Sequence, residues 1–219
     1  MSFMALVALT IDMIDFLERM GSAVCHQMAE RSFIWGNGKM PLCARCTGIY
    51  IGAFFALCFF LWKKRLEGNR PFSTKQIILM LLCIIPMAAD GFCSYAGFWE
   101  SNQLLRILTG SLIGAVVPGL LLLAGNFDPV KENDKAIYES TKELLLVVVC
   151  SGAFGLCLWF GLPLQGIGAM LSIAGEVCLW AGVLWLILKN IFGKRKLPLG
   201  RISLVLSFCI IFAVGGFLP

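Results

Sequence analysis

The sequence predicts an all-α fold, a polytopic transmembrane bundle of about six spans behind an N-terminal amphipathic interfacial helix. Composition is the first observation. Of 219 residues, 59% are hydrophobic and 14% are charged, whereas a soluble domain carries about 25% charge. Mean hydropathy is +0.86. The second observation is that the apolar residues fall into six long runs. They centre on Tyr50–Trp62, Gln76–Phe92, Leu104–Ala124, Leu144–Leu162, Ile167–Leu188 and Ile202–Leu218. A membrane-crossing helix needs about 17–25 residues, and Gly, Pro or charge edges each run. The third is that no run alternates with period two along its length, which excludes a β-barrel. Disorder, a coiled coil and a disulfide-stapled miniprotein are excluded by the same composition.

Before the first span, Met1–Met20 contains Asp12, Asp15, Glu18 and Arg19, while Leu6, Leu9, Met13, Phe16, Leu17 and Met20 share one helical stripe. That pattern suits a helix lying in the interface better than a seventh span. With no basic stretch ahead of the apolar one, it does not read as a cleaved leader. Residues 25–46 form a polar Cys/His segment. Its Gly36-Asn37-Gly38 is a turn signal that folds Cys25 back towards Cys43. Pro41 suits the first turn of a helix, which puts Cys43 and Cys46 one turn apart at the start of span one. Span three carries Gly110 and Gly114, a small-xxx-small pair that admits a close neighbour. Trp62, Trp99, Trp159 and Trp185 lie near span ends, as interfacial anchors do. The chain is thus expected to form one membrane domain over residues 1–219, with an amphipathic helix at 1–24, the Cys/His segment at 25–46 and the bundle at 47–219.

Lys and Arg set the orientation. Lys63, Lys64, Arg65, Arg70 and Lys75 follow span one; Lys131, Lys135 and Lys142 follow span three; Lys189, Lys194, Arg195, Lys196 and Arg201 follow span five. Six alternating spans put all three loops on one side, while loops 93–102 and 161–166 have no Lys or Arg. The basic side is expected to be cytoplasmic, with the Cys/His segment and the C-terminus extracytoplasmic. The net charge of +5 then speaks of topology. The expected partners are the bilayer and a lipid-like or small-molecule substrate, not nucleic acid.

Candidate chemistry concentrates in the polar segment. Cys25, the single histidine His26, Cys43 and Cys46 make a Cys3His set that zinc accepts tetrahedrally. The start of a helix stabilises thiolate, and Arg45 adds positive charge. Neighbouring side chains rarely converge on one ion, so Cys25 or His26 is also readable as an orienting residue. Four protein ligands would make a closed structural site. Three would leave a place for water, with Asp90 or Glu100 as a base. Iron is a less favoured metal. A second reading is a thiol–disulfide oxidoreductase coupled to quinone. In it Cys43 and Cys46 are the active pair, Arg45 or Arg106 polarises a quinone oxygen, and Cys25 or Cys93 relays electrons. A third is a solute or ion transporter whose path is lined by Asp90, Arg106 and Glu176. Asp90 and Arg106 fall at one depth, so they either pair and lock spans two and three together or line a polar outer pocket roofed by the cysteine segment, and Glu176 either hydrogen-bonds between helices or has a proton-handling or ligand role. Cys58, Cys83, Cys150, Cys157, Cys178 and Cys209 lie within spans, as packing residues do. No phosphate loop, nucleophile elbow, HExxH or dinucleotide fingerprint occurs.

Cys25-His26-Gln27 followed by Arg31-Ser32-Phe33, then Pro41-Leu42-Cys43-Ala44-Arg45-Cys46-Thr47-Gly48-Ile49-Tyr50, then Asp90-Gly91 and the run from Asn102 through Arg106 to Thr109-Gly110, resemble the predicted membrane proteins grouped as domain of unknown function 2085. The resemblance covers residues 25–114 and implies a polytopic membrane protein with a polar signature. In the Cys43-x-x-Cys46 pair alone the chain also resembles membrane thiol oxidoreductases of the disulfide-forming and vitamin-K-epoxide-reductase kinds, which implies thiol chemistry near a quinone.

Overall fold

The computed structural model describes residues 3–35, 38–192 and 199–217. Seven helices occur among them, and the last six are long and apolar enough to cross a membrane. They are α1 (Phe3–Ser22), α2 (Ala44–Trp62), α3 (Thr74–Tyr95), α4 (Gln103–Asn126), α5 (Thr141–Trp159), α6 (Gln165–Phe192) and α7 (Leu199–Phe217). Each expected span is present. The turn residues Gly36 and Asn37, the basic residues Lys194, Arg195 and Lys196, and Leu218 at the end of span six lie outside the described residues. So do the side chains of Leu6, Leu9 and Asp12.

Helix α1 is not among the crossing helices. Its second half is fixed by Leu17 and Met20, which are buried, whereas Met13 and Phe16 stay exposed. The Ser22 hydroxyl donates to Gly215 O at 3.2 Å, joining α1 to α7.

Between α1 and α2 the chain forms a hairpin rather than only a turn. After a short 3-10 turn at Ala29–Arg31, β1 (Ser32–Trp35) pairs antiparallel with β2 (Gly38–Cys43). The register runs Ile34↔Lys39 and then Ser32↔Cys43, so β2 bulges between them. Pro41 lies in that bulge and not in the first turn of α2 as expected. A residue with no N–H is tolerated where the ladder is already interrupted, so α2 starts only at Ala44, with Cys43 as its N-cap.

Helix α2 is central, packed on α4, α5 and α6. Two glycine pairs bring α2 and α4 together. Gly48 faces Ile107, Gly110 and Ser111, and one turn later Gly52 faces Ser111, Gly114 and Ala115. The two helices therefore run parallel and touch backbone to backbone. A Cβ on Gly52 would lie 2.6 Å from Ser111 O and 2.8 Å from Ala115 N. Gly110 and Gly114 thus do have the expected close neighbour, and it is the matching Gly48-xxx-Gly52 pair of α2.

The α2–α3, α4–α5 and α6–α7 ends of the bundle lie together where they are described. Asn69 and Arg70 N–H groups donate to Lys135 O. Arg65 pairs with Glu139 at 2.7 Å and Glu143 at 2.5 Å. Lys189 Nζ donates to Asn126, whose amide donates to Leu66 O. Tyr138 folds in beneath this end against Phe59, Phe60 and Phe72. The hairpin closes the other end: Gln103 Nε2 donates to Ser32 O at 3.1 Å.

Candidate metal centre and polar cavity

Three sulfurs converge under the hairpin. The Sγ atoms of Cys25, Cys43 and Cys46 all lie within 4.8 Å of one another. Three different local structures deliver them. Cys25 ends the turn after α1, where its N–H bonds back to Gly21 O at 3.0 Å. Cys43 is the last residue of β2 and the N-cap of α2, and Cys46 follows in the first helical turn. Gln27 secures the segment: its Nε2 donates to Glu18 O at 2.7 Å and Pro41 O at 2.8 Å, tying α1 to β2. The backbone at Gln27 is left-handed, with φ 48°, so the chain reverses just after the cysteine.

The sulfurs sit among N–H donors. Cys25 Sγ accepts from Gln27 N at 3.4 Å and from Cys43 N at 3.3 Å. Hydrogen bonds with Cys25 and then Cys46 hold the Cys43 thiol well below its ordinary range, against the opposing effect of burial. Hydrogen bonding with Cys43 is the largest influence on Cys25, whose thiol is pushed up, and burial adds to it. No disulfide joins them. Tetrahedral zinc at about 2.3 Å from each sulfur requires sulfurs roughly 3.8 Å apart, a separation this group can reach by small rotations about Cα–Cβ. The donor set fits a thiophilic metal.

His26 does not join the group. Its ring nitrogens are not among the converging atoms, and the residue is exposed while Cys25 beside it is buried. Successive side chains leave the backbone in different directions, and here the inward place goes to sulfur. Cys93 is half-buried on α3, also apart from the trio.

The charges near the site are paired differently from the expectation. Asp90, which is buried, binds Arg45 and not Arg106. Arg45 stands in the first turn of α2, next to the cysteines, so an α2–α3 link replaces the expected α3–α4 link. Arg106 turns back on its own helix entry, its Nε donating to Ser101 O at 3.0 Å. Thr109 bonds Leu105 O at 2.8 Å within α4. Glu176 is fully buried, and neither carboxylate oxygen has a partner among the described residues, so no interhelical hydrogen bond of it is found there. Its helix crosses α2 at Gly175, against Tyr50 O.

A cavity of about 540 Å³ opens beside the site, lined by Arg31, Glu100, Ser101, Asn102, Arg106 and neighbours from the α3–α4 loop. Glu100 and Arg106 of the expected residues line it; Asp90 and Glu176 do not. Sequence patterning gives no reason to single out Arg31, because its place on the cavity depends on how the hairpin docks.

A family model for the predicted membrane proteins called DUF2085 matches residues 25–119. An uncharacterised protein of Methanothermobacter thermautotrophicus is 39% identical over 87 residues, 40% of this chain and 74% of that protein. The chain belongs to the DUF2085 family. A second relative, an uncharacterised protein of Methanocaldococcus jannaschii, is 38% identical over 96 residues, 44% of this chain and 60% of that protein. No solved structure matches. The DUF2085 match begins at Cys25 and ends inside α4, so it contains the hairpin, all three converging cysteines, Arg45, Asp90 and every residue lining the cavity.

Proposed function

We propose that this membrane protein holds one zinc ion through the thiolates of Cys25, Cys43 and Cys46, and that this centre stands at the extracytoplasmic face above a polar cavity for a small or lipid-like substrate. The observation that carries the metal reading is the approach of three sulfurs from separate stretches of chain. The Cys43 thiol, held low at the N-terminus of α2, supplies the thiolate form that a metal requires, and Cys25, whose thiol is pushed up, would release its proton on binding the metal. His26 points outward, so the fourth position is open to water or substrate, and a Lewis acid there would supply hydrolytic chemistry. Of the two carboxylates considered as a base, Glu100 lines the cavity and Asp90 is engaged by Arg45. The extracytoplasmic placement rests on the basic residues gathered at the opposite end.

Metal content per chain, read by plasma mass spectrometry on protein purified without chelator or metal resin, tests the reading. About one zinc per chain is expected, lost in Cys43→Ser/Cys46→Ser and kept in His26→Ala. Loss of metal in His26→Ala would restore a closed four-ligand centre. Folded, monodisperse protein with no metal would overturn the proposal. Reversible disulfide formation between Cys43 and Cys46 in that protein would support the thiol–disulfide reading instead.

A further inference from the structure

The cavity beside the sulfurs is lined by two arginines and two glutamates. Arg106 is 7% exposed and lines it. Its Nε is spent on Ser101 O, and its two terminal nitrogens have no partner among the described residues. The terminal nitrogens are not among the buried atoms that lack a partner, so they face the cavity and are available to a ligand. Arg31 also lines it and makes no ion pair among the described residues. Arg31 and Arg45 act on Arg106 as like charges, while Asp90, the carboxylate that bears on it, is already taken by Arg45. Two guanidiniums thus share a cavity with no carboxylate bonded to either. Glu30 and Glu100 also line it, but both are exposed and neither lies within ion-pair distance of an arginine.

The N-terminus of α4, a 24-residue helix, borders the cavity through Asn102, Gln103 and Arg106. Asn102 caps it through Leu105 N at 2.7 Å, leaving the N–H groups of Gln103 and Leu104 without partners among the described residues. The Ser101 hydroxyl is buried and also has none. Two guanidiniums, the free N–H of Gln103 and the Ser101 hydroxyl therefore border one space. A planar carboxylate is satisfied by a single guanidinium fork, whereas a tetrahedral oxyanion uses donors all round it.

We propose that this cavity binds a phosphate-type oxyanion, held by Arg106, Arg31 and the first turn of α4. The inference deepens the proposed function by naming the chemical class of ligand the polar cavity takes. The volume leaves room for a substituent on the oxyanion, and Trp99, which also lines the cavity, offers it an apolar face. A soluble phosphomonoester and a phospholipid headgroup share this chemistry.

The test is calorimetric titration of the full chain in neutral detergent. Three probes are used: inorganic phosphate, glycerol 3-phosphate and dihexanoyl phosphatidic acid. Saturable binding of at least one is expected, weakened roughly tenfold or more by Arg106→Gln and less by Arg106→Lys. Because Arg106 is buried, the exposed Arg31→Gln provides a second variant; it is expected to weaken binding several-fold at an unchanged melting temperature. Tighter binding of glycerol 3-phosphate identifies a soluble ester, and tighter binding of phosphatidic acid a lipid headgroup. No saturable binding of any probe, or binding equal in wild type, Arg106→Gln and Arg31→Gln, would overturn the proposal. Metal content is expected to be the same in both arginine variants, so failure here leaves the sulfur centre standing, and absence of metal leaves the oxyanion site standing.

Discussion

Asp90 and Arg45 are unequal partners. The carboxylate side chain is 2% exposed and the guanidinium 23%, so each loses something different when the other is removed. Arg45→Ala strands a buried carboxylate and is expected to cost about 3–5 kcal/mol. Asp90→Ala leaves a guanidinium that can turn to water, at about 1–2 kcal/mol. Chemical unfolding in detergent reads both; equal losses would show that Arg45 cannot re-solvate. Glu176 presents the opposite case, a buried carboxyl group with no partner for either oxygen. Replacing it by an apolar side chain of similar length removes an unsatisfied group worth about 1–3 kcal/mol. Glu176→Met is therefore expected to raise the melting temperature, and a fall would mean that the carboxyl group is satisfied in the membrane by an ion or a proton path. Sequence alone placed both acids in spans but misjudged their partners. Asp90 and Arg106 are close in sequence and depth, yet the face that Asp90 presents is decided by how α2 and α3 pack, which hydropathy does not encode.

At the scale of elements, the α2–α4 clasp is the most extensive helix–helix contact among the described residues. Gly52→Ala forces a methyl group into Ser111 O and Ala115 N and is expected to cost about 1–3 kcal/mol, the range for overpacking. Gly152→Ala in α5 is the control: nothing lies within 4 Å of its Cβ position, and it should be neutral or slightly stabilising. Thermal unfolding followed by size-exclusion profile separates the two, and equal melting temperatures would argue against the clasp. All six spans were legible because length and apolar composition suffice to specify a crossing helix. Half the clasp was legible in Gly110 and Gly114. Gly48 and Gly52 have the same spacing, but the cysteine motif beside them draws the eye to chemistry. The hairpin was invisible beyond its turn, since strands of four and six residues with a proline in a bulge carry no usable periodicity. The sulfur group was legible in three of its four expected members, because Cys-x-x-Cys at a helix start and a returning turn are local signals. Which of the adjacent Cys25 and His26 faces inward depends on the left-handed backbone at Gln27.

Taken as a whole, the molecule has two dissimilar ends, one built from ion pairs and loop carbonyls and the other from sulfurs, a hairpin and a polar cavity. If the basic end is cytoplasmic, Glu132→Cys should resist a membrane-impermeant maleimide in intact cells and react after permeabilisation, whereas Tyr95→Cys, 96% exposed at the other end, should react at once. The reverse pattern would invert the orientation. The clasp has a bearing on how such a molecule lives in membranes of different thickness. Helix α2 measures about 28 Å and α4 about 36 Å at 1.5 Å per residue, on either side of a hydrocarbon core of about 30 Å. Separate helices would answer that mismatch by tilting independently. These two are parallel and joined backbone to backbone, with no space for an acyl chain between them, so they tilt as one rod. Cys43 and Cys46 begin one helix and Arg106 begins the other. A change in lipid length therefore moves the sulfurs and the arginine together, and the distance between them is insulated from the bilayer.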